Sequence, residues 1–195
     1  MNVKPKPKHS KEPTAEDYNV QPHLLQTPCY ASLLRGKSIL DACCGSKMFW
    51  FDKSNDAVLF ADIRNDTYKS SNGTTTQIKP DLQMDFRNMP FGDNTFFHVV
   101  FDPPHRTDNS ENHWMANQYG QLFPTWKTDI RKGFEECMRV LKPGGTLIFK
   151  WHEKNIMLSK ILAILPEKPL YGHKSGKRSN THWMAFVKGV SCNGA

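Results

Sequence analysis

The chain has 195 residues, with 26 Lys and Arg against 19 Asp and Glu and a formal net charge of +7. That length holds one domain with a full core and excludes a second sizeable one, just as it excludes a TIM barrel of roughly 250 residues. The cation excess points to an acidic partner such as nucleic acid, and five cysteines without a C-x-x-C pair favour neither a disulfide framework nor a metal site.

The opening stretch, "MNVKPKPKHSKEPTAED", has almost no apolar residues and no helical period, so it predicts a disordered basic arm over residues 1–17. It also lacks the apolar core of a signal peptide, and no apolar run reaches the roughly 18 residues of a membrane span, so a soluble, cytoplasmic protein is expected. One domain over residues 18–190 and a tail over 191–195 follow. In "QTPCYASLLRG", Thr27 is a good N-cap, Pro28 suits the first helical position and Gly36 stops a short helix. "SILDACCG" reads as a strand running into a turn, and "AVLFADIR" as a second strand ending at Asp62. "PDLQMDF" is a short segment ending near Asp85, "FGDN" is a turn, and the next strand runs from about Phe96 to Asp102. An amphipathic helix then puts Ile130, Phe134, Cys137, Met138 and Leu141 on one face and ends at "KPGG", before a strand "TLIFKW". A short helix in "NIMLSKILAIL", a Gly/Lys/Ser loop and a strand "HWMAFVK" complete the domain. Strands joined by helices or crossover-length connections predict an open α/β sheet with ligands at the strands' carboxyl ends.

Asp41, Asp62 and Asp85 end three successive strand-like segments, and Asp102 ends a fourth. In a parallel sheet these positions converge on one edge. Asp62 follows Asp41 by 21 residues, close to the roughly 20 over which a second-strand carboxylate reaches a nucleoside ribose.

With "ILDACCGSKMF", "FADIR", "DFRNMPFGDNTFFHVVF" and "MRVLKPGGTLIFKW" in this order, the chain resembles class I S-adenosylmethionine-dependent methyltransferases over about residues 27–188. The resemblance implies a Rossmann-like sheet, mostly parallel with an antiparallel last strand and helices on both faces, and S-adenosyl-L-methionine as cofactor. It also implies that Asp62 bonds the ribose hydroxyls, that Ile63 lies on the adenine and that Asp85 accepts from its amine, with Phe86 as a lid. Asp41, Ala42, Cys43 and Gly45 would line the methionine part, with Thr27 before them at a helix start that favours its carboxylate. Cys43 and Lys47 stand where the family commonly has glycine, which implies a slightly different turn. An ordinary tight turn and a hydride-transferring Rossmann enzyme are the other readings of this turn, although "GSKMFW" lacks the latter's third glycine.

"DPPH", residues 102–105, resembles the fourth motif of amino-group methyltransferases, an acid or amide, two prolines and an aromatic residue. An exocyclic base amine is a poor nucleophile because its lone pair is delocalised into the ring. The resemblance makes Asp102 and the Pro103 carbonyl the acceptors of its two N–H bonds, with Pro104 completing a rigid rim free of N–H donors. His105 departs from the usual Tyr, Phe or Trp; stacking on the base, taking up the released proton and a structural role are its three readings.

The long polar segment after it carries Trp114 and Tyr119, expected to face substrate, and Trp126, expected in the core. Lys174, Lys177 and Arg178 are the expected phosphate contacts. The leading expectation is methylation of adenine N6 in nucleic acid, DNA rather than RNA, by an enzyme resembling small phage and mobile-element methyltransferases. Adenine-N6 methylation of RNA, cytosine-N4 methylation of DNA, methylation of a protein amide or small molecule, and a non-catalytic binding module are the alternatives.

Overall fold

Apolar runs that end in an acid become strands. The computed structural model describes residues 28–69, 73–107, 120–176 and 179–190. The basic arm, Thr27, Trp114, Tyr119, Lys177, Arg178 and the tail lie outside them. In chain order the elements are α1 (Pro28–Leu33), β1 (Ile39–Asp41), β2 (Val58–Asp62), β3 (Asp66–Lys69), β4 (Thr75–Ile78), β5 (Leu82–Gln83) and β6 (Phe96–Phe101). There follow α2 (Trp126–Val140), β7 (Leu141–His152), α3 (Leu158–Leu162), β8 (Tyr171–Lys174) and β9 (Thr181–Val187).

Seven strands form one sheet in the order β5-β2-β1-β6-β7-β9-β8. The first five are parallel, and β9 runs antiparallel to both β7 and β8. This is the expected Rossmann-like sheet, mostly parallel with its last strand reversed. The order reverses at β1, so the acids that end β1, β2 and β6 border one crevice, where open α/β sheets bind ligands.

Alternation along β2 builds two faces. Leu59 and Ala61 join the main core with Leu40, Val99, Phe101, Phe149 and the apolar stripe of α2, while Val58 and Phe60 form a smaller cluster with Cys44. Trp50 covers that second cluster from a segment, 42–57, that holds only turns and bends. On α2 the expected stripe is buried, Ile130, Phe134, Cys137 and Met138, with Leu141 buried just past it in β7. Trp126 is packed against this core rather than fully inside it.

The helix ends just before "KPGG", as expected: α2 stops at Val140, and Pro143 has no N–H to give to Arg139 O. The end carbonyls find partners elsewhere: Asn94 N–H donates to Arg139 O, Thr95 N–H to Val140 O, and Lys188 Nζ to Arg139 O and Leu141 O. Lys142 to Gly145 form an irregularity inside β7, where the register to β6 shifts between Phe96 and His98. Gly145 is required there, since a Cβ would come within 2.8 Å of Lys142 O and 3.0 Å of Phe97 O. Strand β8 stands within the expected Gly/Lys/Ser loop, and the β3–β4 hairpin forms a separate two-stranded sheet.

Candidate active site

The carboxyl ends of β1, β2 and β6 open into a cleft of about 520 Å³, lined by Asp41, Asp62 and Asp102 together with their following turns. Asp41 is 2% exposed; it accepts from Trp50 Nε1 at 2.6 Å and from the Cys43 N–H at 3.2 Å. Burial pushes its carboxyl up to about 7; the two hydrogen bonds oppose the rise, and the neighbouring Asp102 and Asp62 add to it. Burial also raises the Cys43 and Cys44 thiols, so neither is primed as a nucleophile. Trp50 is a partner that the sequence did not reveal.

The turn after β1 keeps two left-handed residues, Gly45 at φ 51° and Lys47 at φ 57°. Lys47 therefore takes a glycine-like conformation, and its ammonium lies 3.9 Å from the Phe60 ring centre and 3.8 Å from Asp81. Gly45 turns its N–H to Asp62 Oδ2 at 2.8 Å, tying the β1 turn to the end of β2. Arg64 holds the rest of Asp62: its N–H and Nε donate to Oδ1 at 2.9 and 3.0 Å, and Nη2 to Oδ2 at 3.1 Å. Both carboxylate oxygens thus already accept two hydrogen bonds. Ile63 and Phe86 line the same cleft as apolar walls, as do Ala42 and Cys43.

Asp85 is not among the residues that line the cleft. Arg87 holds it through Nε at 2.9 Å and Nη2 at 2.8 Å, and links it to Asp129 on α2 through Nη1 at 3.0 Å. The expected adenine contact is thus engaged in a cross-link between the β5 end and α2.

At the end of β6, Asp102, Pro103, Pro104 and His105 all line the cleft. Lys150, from the end of β7, donates to Asp102 Oδ2 at 2.5 Å, the one hydrogen-bond partner of this carboxylate among the described residues. Asp102 titrates above the ordinary range because of burial, with Lys150 and His152 pulling the other way. The His105 ring lies 5.1 Å from the His152 ring and edge-on at 6.4 Å to Trp151. Burial, helped by His152, Lys150 and Arg106, lowers its pKa to about 4, so the ring is neutral at pH 7 and a weak base. The rim is rigid from behind as well. Gly120, at φ 74°, sits so close that a Cβ would be 2.9 Å from Pro104 Cγ, and Leu122 N–H donates to Arg106 O at 2.6 Å.

Lys174 is exposed at the far hairpin and lies 3.6 Å from Glu153, so part of its charge is already answered. At the mouth, Phe49 from the turn after β1 stacks on Trp183 of β9, with ring centres 5.0 Å apart and 25° between planes. Lys150, Arg64, Phe49 and Trp183 are cleft residues that sequence reasoning missed. Lys150 alone left a signal, as a lysine at the carboxyl end of an otherwise apolar strand. The described residues hold no cluster of three metal-ligating side chains and no helix long and apolar enough to cross a membrane.

No family model matches the chain, and no curated protein is similar to it. Among solved structures it is similar to the PH0226 protein of Pyrococcus horikoshii, at 16% identity, covering 90% of this chain and 100% of the other, with a TM-score of 0.49. It is similar to the N-methyltransferase NodS of Bradyrhizobium japonicum in complex with S-adenosyl-l-homocysteine, at 13% identity over 86% and 91% of the two chains, TM-score 0.48. TrmN of Thermus thermophilus matches at 13% identity over 81% of this chain and 47% of its own, TM-score 0.48. At such identities and scores these likenesses add nothing to the strand order, and the chemistry rests on this chain's own residues.

Proposed function

We propose that this chain is an S-adenosylmethionine-dependent methyltransferase acting on an exocyclic amine of a nucleobase, with adenine N6 in DNA as the first candidate. What carries the reading is that the Asp102–Pro103–Pro104 rim and the acids ending β1 and β2 border one cleft. The cleft suits this donor in size and in chemistry. Its volume, about 520 Å³, lies in the range of small-molecule sites. Two buried carboxylates, Asp41 and Asp62, are what a cationic amino acid with ribose hydroxyls needs, and Ile63 and Phe86 offer apolar faces to a purine. Arg64 would have to give up part of Asp62 to the ribose hydroxyls.

Bound S-adenosylmethionine would supply a methyl group activated by its sulfonium charge. The protein's own work is positional and electrostatic. Lys150 occupies Oδ2 of Asp102, which leaves Oδ1 to accept one amine N–H, while the Pro103 carbonyl accepts the other. Held this way, the nitrogen lone pair is turned out of conjugation toward the donor. Lys150 also opposes the burial that raises the pKa of Asp102. His105, neutral at pH 7 and a weak base, packs the rim against His152 and Trp151, and the proton that the amine loses on methylation passes to water.

The test is direct. Double- and single-stranded DNA, and RNA, are treated with the protein and donor, digested to nucleosides and analysed by mass spectrometry. N6-methyladenosine or its deoxy form is expected, and it should disappear with Asp102→Ala while S-adenosylhomocysteine still binds. Full activity of that variant would refute the assigned chemistry.

A further inference from the structure

We infer that the Phe49–Trp183 ring pair is the platform for the target base, with Trp183 as its fixed face and Phe49 as a ring that holds the place of the base until it arrives. The inference rests on the nucleobase reading above and adds the residues that recognise the base.

The two rings come from opposite sides of the cleft, 134 positions apart in the chain. They are nearly parallel, 25° between planes at 5.0 Å, an arrangement that a third planar ring can replace or extend. Trp183 is well anchored. It lies in β9 between Lys150 of β7 and His173 of β8, and its Nε1 donates to Ser175 Oγ at 2.7 Å. Phe49 is held by ring contacts, on Trp183 and edge-on at 5.5 Å to Trp50. It sits on a turn, is 38% exposed, and is flanked by Met48 at 67% and by the fully exposed Phe51. Met48 and Phe49 both line the cleft and leave apolar surface in water, which a ligand there would cover.

Charge and reach fit the same occupant. Lys150 Nζ lies 2.5 Å from Asp102 Oδ2 and 5.6 Å from the Trp183 ring centre, so one ammonium touches the carboxylate that would hold an amine and the ring that would hold the base. A flat ring carrying an exocyclic amine meets both at once. Beyond Trp183 the exposed β8 strand offers His173 and Lys174, on the side where a flanking phosphate would lie. The ring that the sequence motif puts forward for stacking, His105, is tilted against His152 and edge-on to Trp151.

The probe is a single-stranded DNA 12-mer carrying one 2-aminopurine, titrated into the full chain in the presence of S-adenosylhomocysteine, with 2-aminopurine quenching as the readout. Wild-type protein should quench it on binding. Trp183→Ala should bind roughly tenfold or more weakly and lose most of the quenching, Trp183→Phe should keep both, and Phe49→Ala should leave the quenching in place. Calorimetry with S-adenosylhomocysteine alone reports whether each variant is folded. Should His105→Ala abolish the quenching while Trp183→Ala and Trp183→Phe leave it intact, the platform is wrong and the motif residue is the stacking ring. Methylation of DNA by wild-type protein with an unchanged KM in Trp183→Ala overturns the platform while the proposed function stands. Neither binding nor methylation of nucleic acid by the wild-type chain overturns both.

Discussion

Asp41 is the residue where burial and charge are most at odds. Its side chain titrates near 3.8 when unfolded and near 7 when folded, so the native state holds a proton that the unfolded chain has already released. Stability therefore falls as pH rises from about 4 to about 7, by up to on the order of 4 kcal/mol. His105 has the opposite sign: its pKa is lowered to about 4, so its contribution is lost as pH falls through the range from about 6.5 to 4. The two partly cancel, and the variant isolates one of them. Asp41→Asn keeps an acceptor for Trp50 and cannot titrate. Urea unfolding at pH 4.5 and 7.5 should show the variant gaining on the wild type by about 3 kcal/mol between the two; a difference that does not move with pH would remove the buried proton from the account. Lys150 yields a second prediction at this scale. Replacing it by Met leaves the half-buried Asp102 without its cation, so the acidic limb of the kcat/KM profile should move up by about one pH unit or more, with Lys150→Arg restoring it. A limb that stays in place in Lys150→Met would mean that the pair is only structural. These pairings were not legible in the sequence, because Lys150 and Asp102 are 48 residues apart and only the sheet brings them together. The acids themselves were legible, because a carboxylate closing an apolar run stands out.

Among the elements, legibility follows the contrast between apolar and polar positions. β1, β2 and β6 are apolar runs cut off by Asp, and α2 carries a clear stripe, so all four stand out. β3 and β4, "DTYK" and "TTQI", are mostly exposed on both faces, and every residue of β8, "YGHK", is exposed, so none of them has a hydrophobic period to read. The segment 42–57 carries site residues on turns, where no period exists. What the stripe of α2 did not reveal is how closely that helix approaches the cleft. At Gly133 a Cβ would meet Phe86 Cδ2 at 2.5 Å and Phe101 Cζ at 2.7 Å, and those two rings pack edge to face at 5.2 Å. Gly133→Ala therefore gains about 1 kcal/mol of helix propensity but overpacks a dry contact, which costs about 1–3 kcal/mol. A net loss of stability is expected by urea unfolding. Because Phe86 also lines the cleft, S-adenosylhomocysteine should bind several-fold more weakly by calorimetry. A variant more stable than wild type with unchanged affinity would show that the Phe86 ring moves aside freely.

At the scale of the whole molecule, the proposed binding of nucleic acid would draw on two kinds of attraction. The surplus charge sits largely at the two ends of the sequence: Lys4, Lys6, Lys8 and Lys11 precede the described residues, and eight Lys and Arg lie between residues 150 and 188. The ring pair is at the cleft mouth, where Lys150 Nζ lies 5.6 Å from the Trp183 ring centre. Phosphate contacts release counterions and make affinity fall with salt, by about 0.7 in log–log slope per phosphate neutralised on a single strand, whereas stacking does not. The two contributions should therefore respond differently to mutation. Removing residues 1–12 takes away four lysines, so the slope for a single-stranded oligonucleotide should drop by up to about 3, with the quenching of a stacked base unchanged at saturation. Trp183→Ala should do the reverse, lowering affinity by a similar factor at every salt concentration and leaving the slope alone. Fluorescence titrations of the two variants between 50 and 300 mM salt would decide it. If the truncation left the slope unaltered, the arm would carry no phosphate contact; if Trp183→Ala flattened the slope, Trp183 would be acting through charge rather than through its ring.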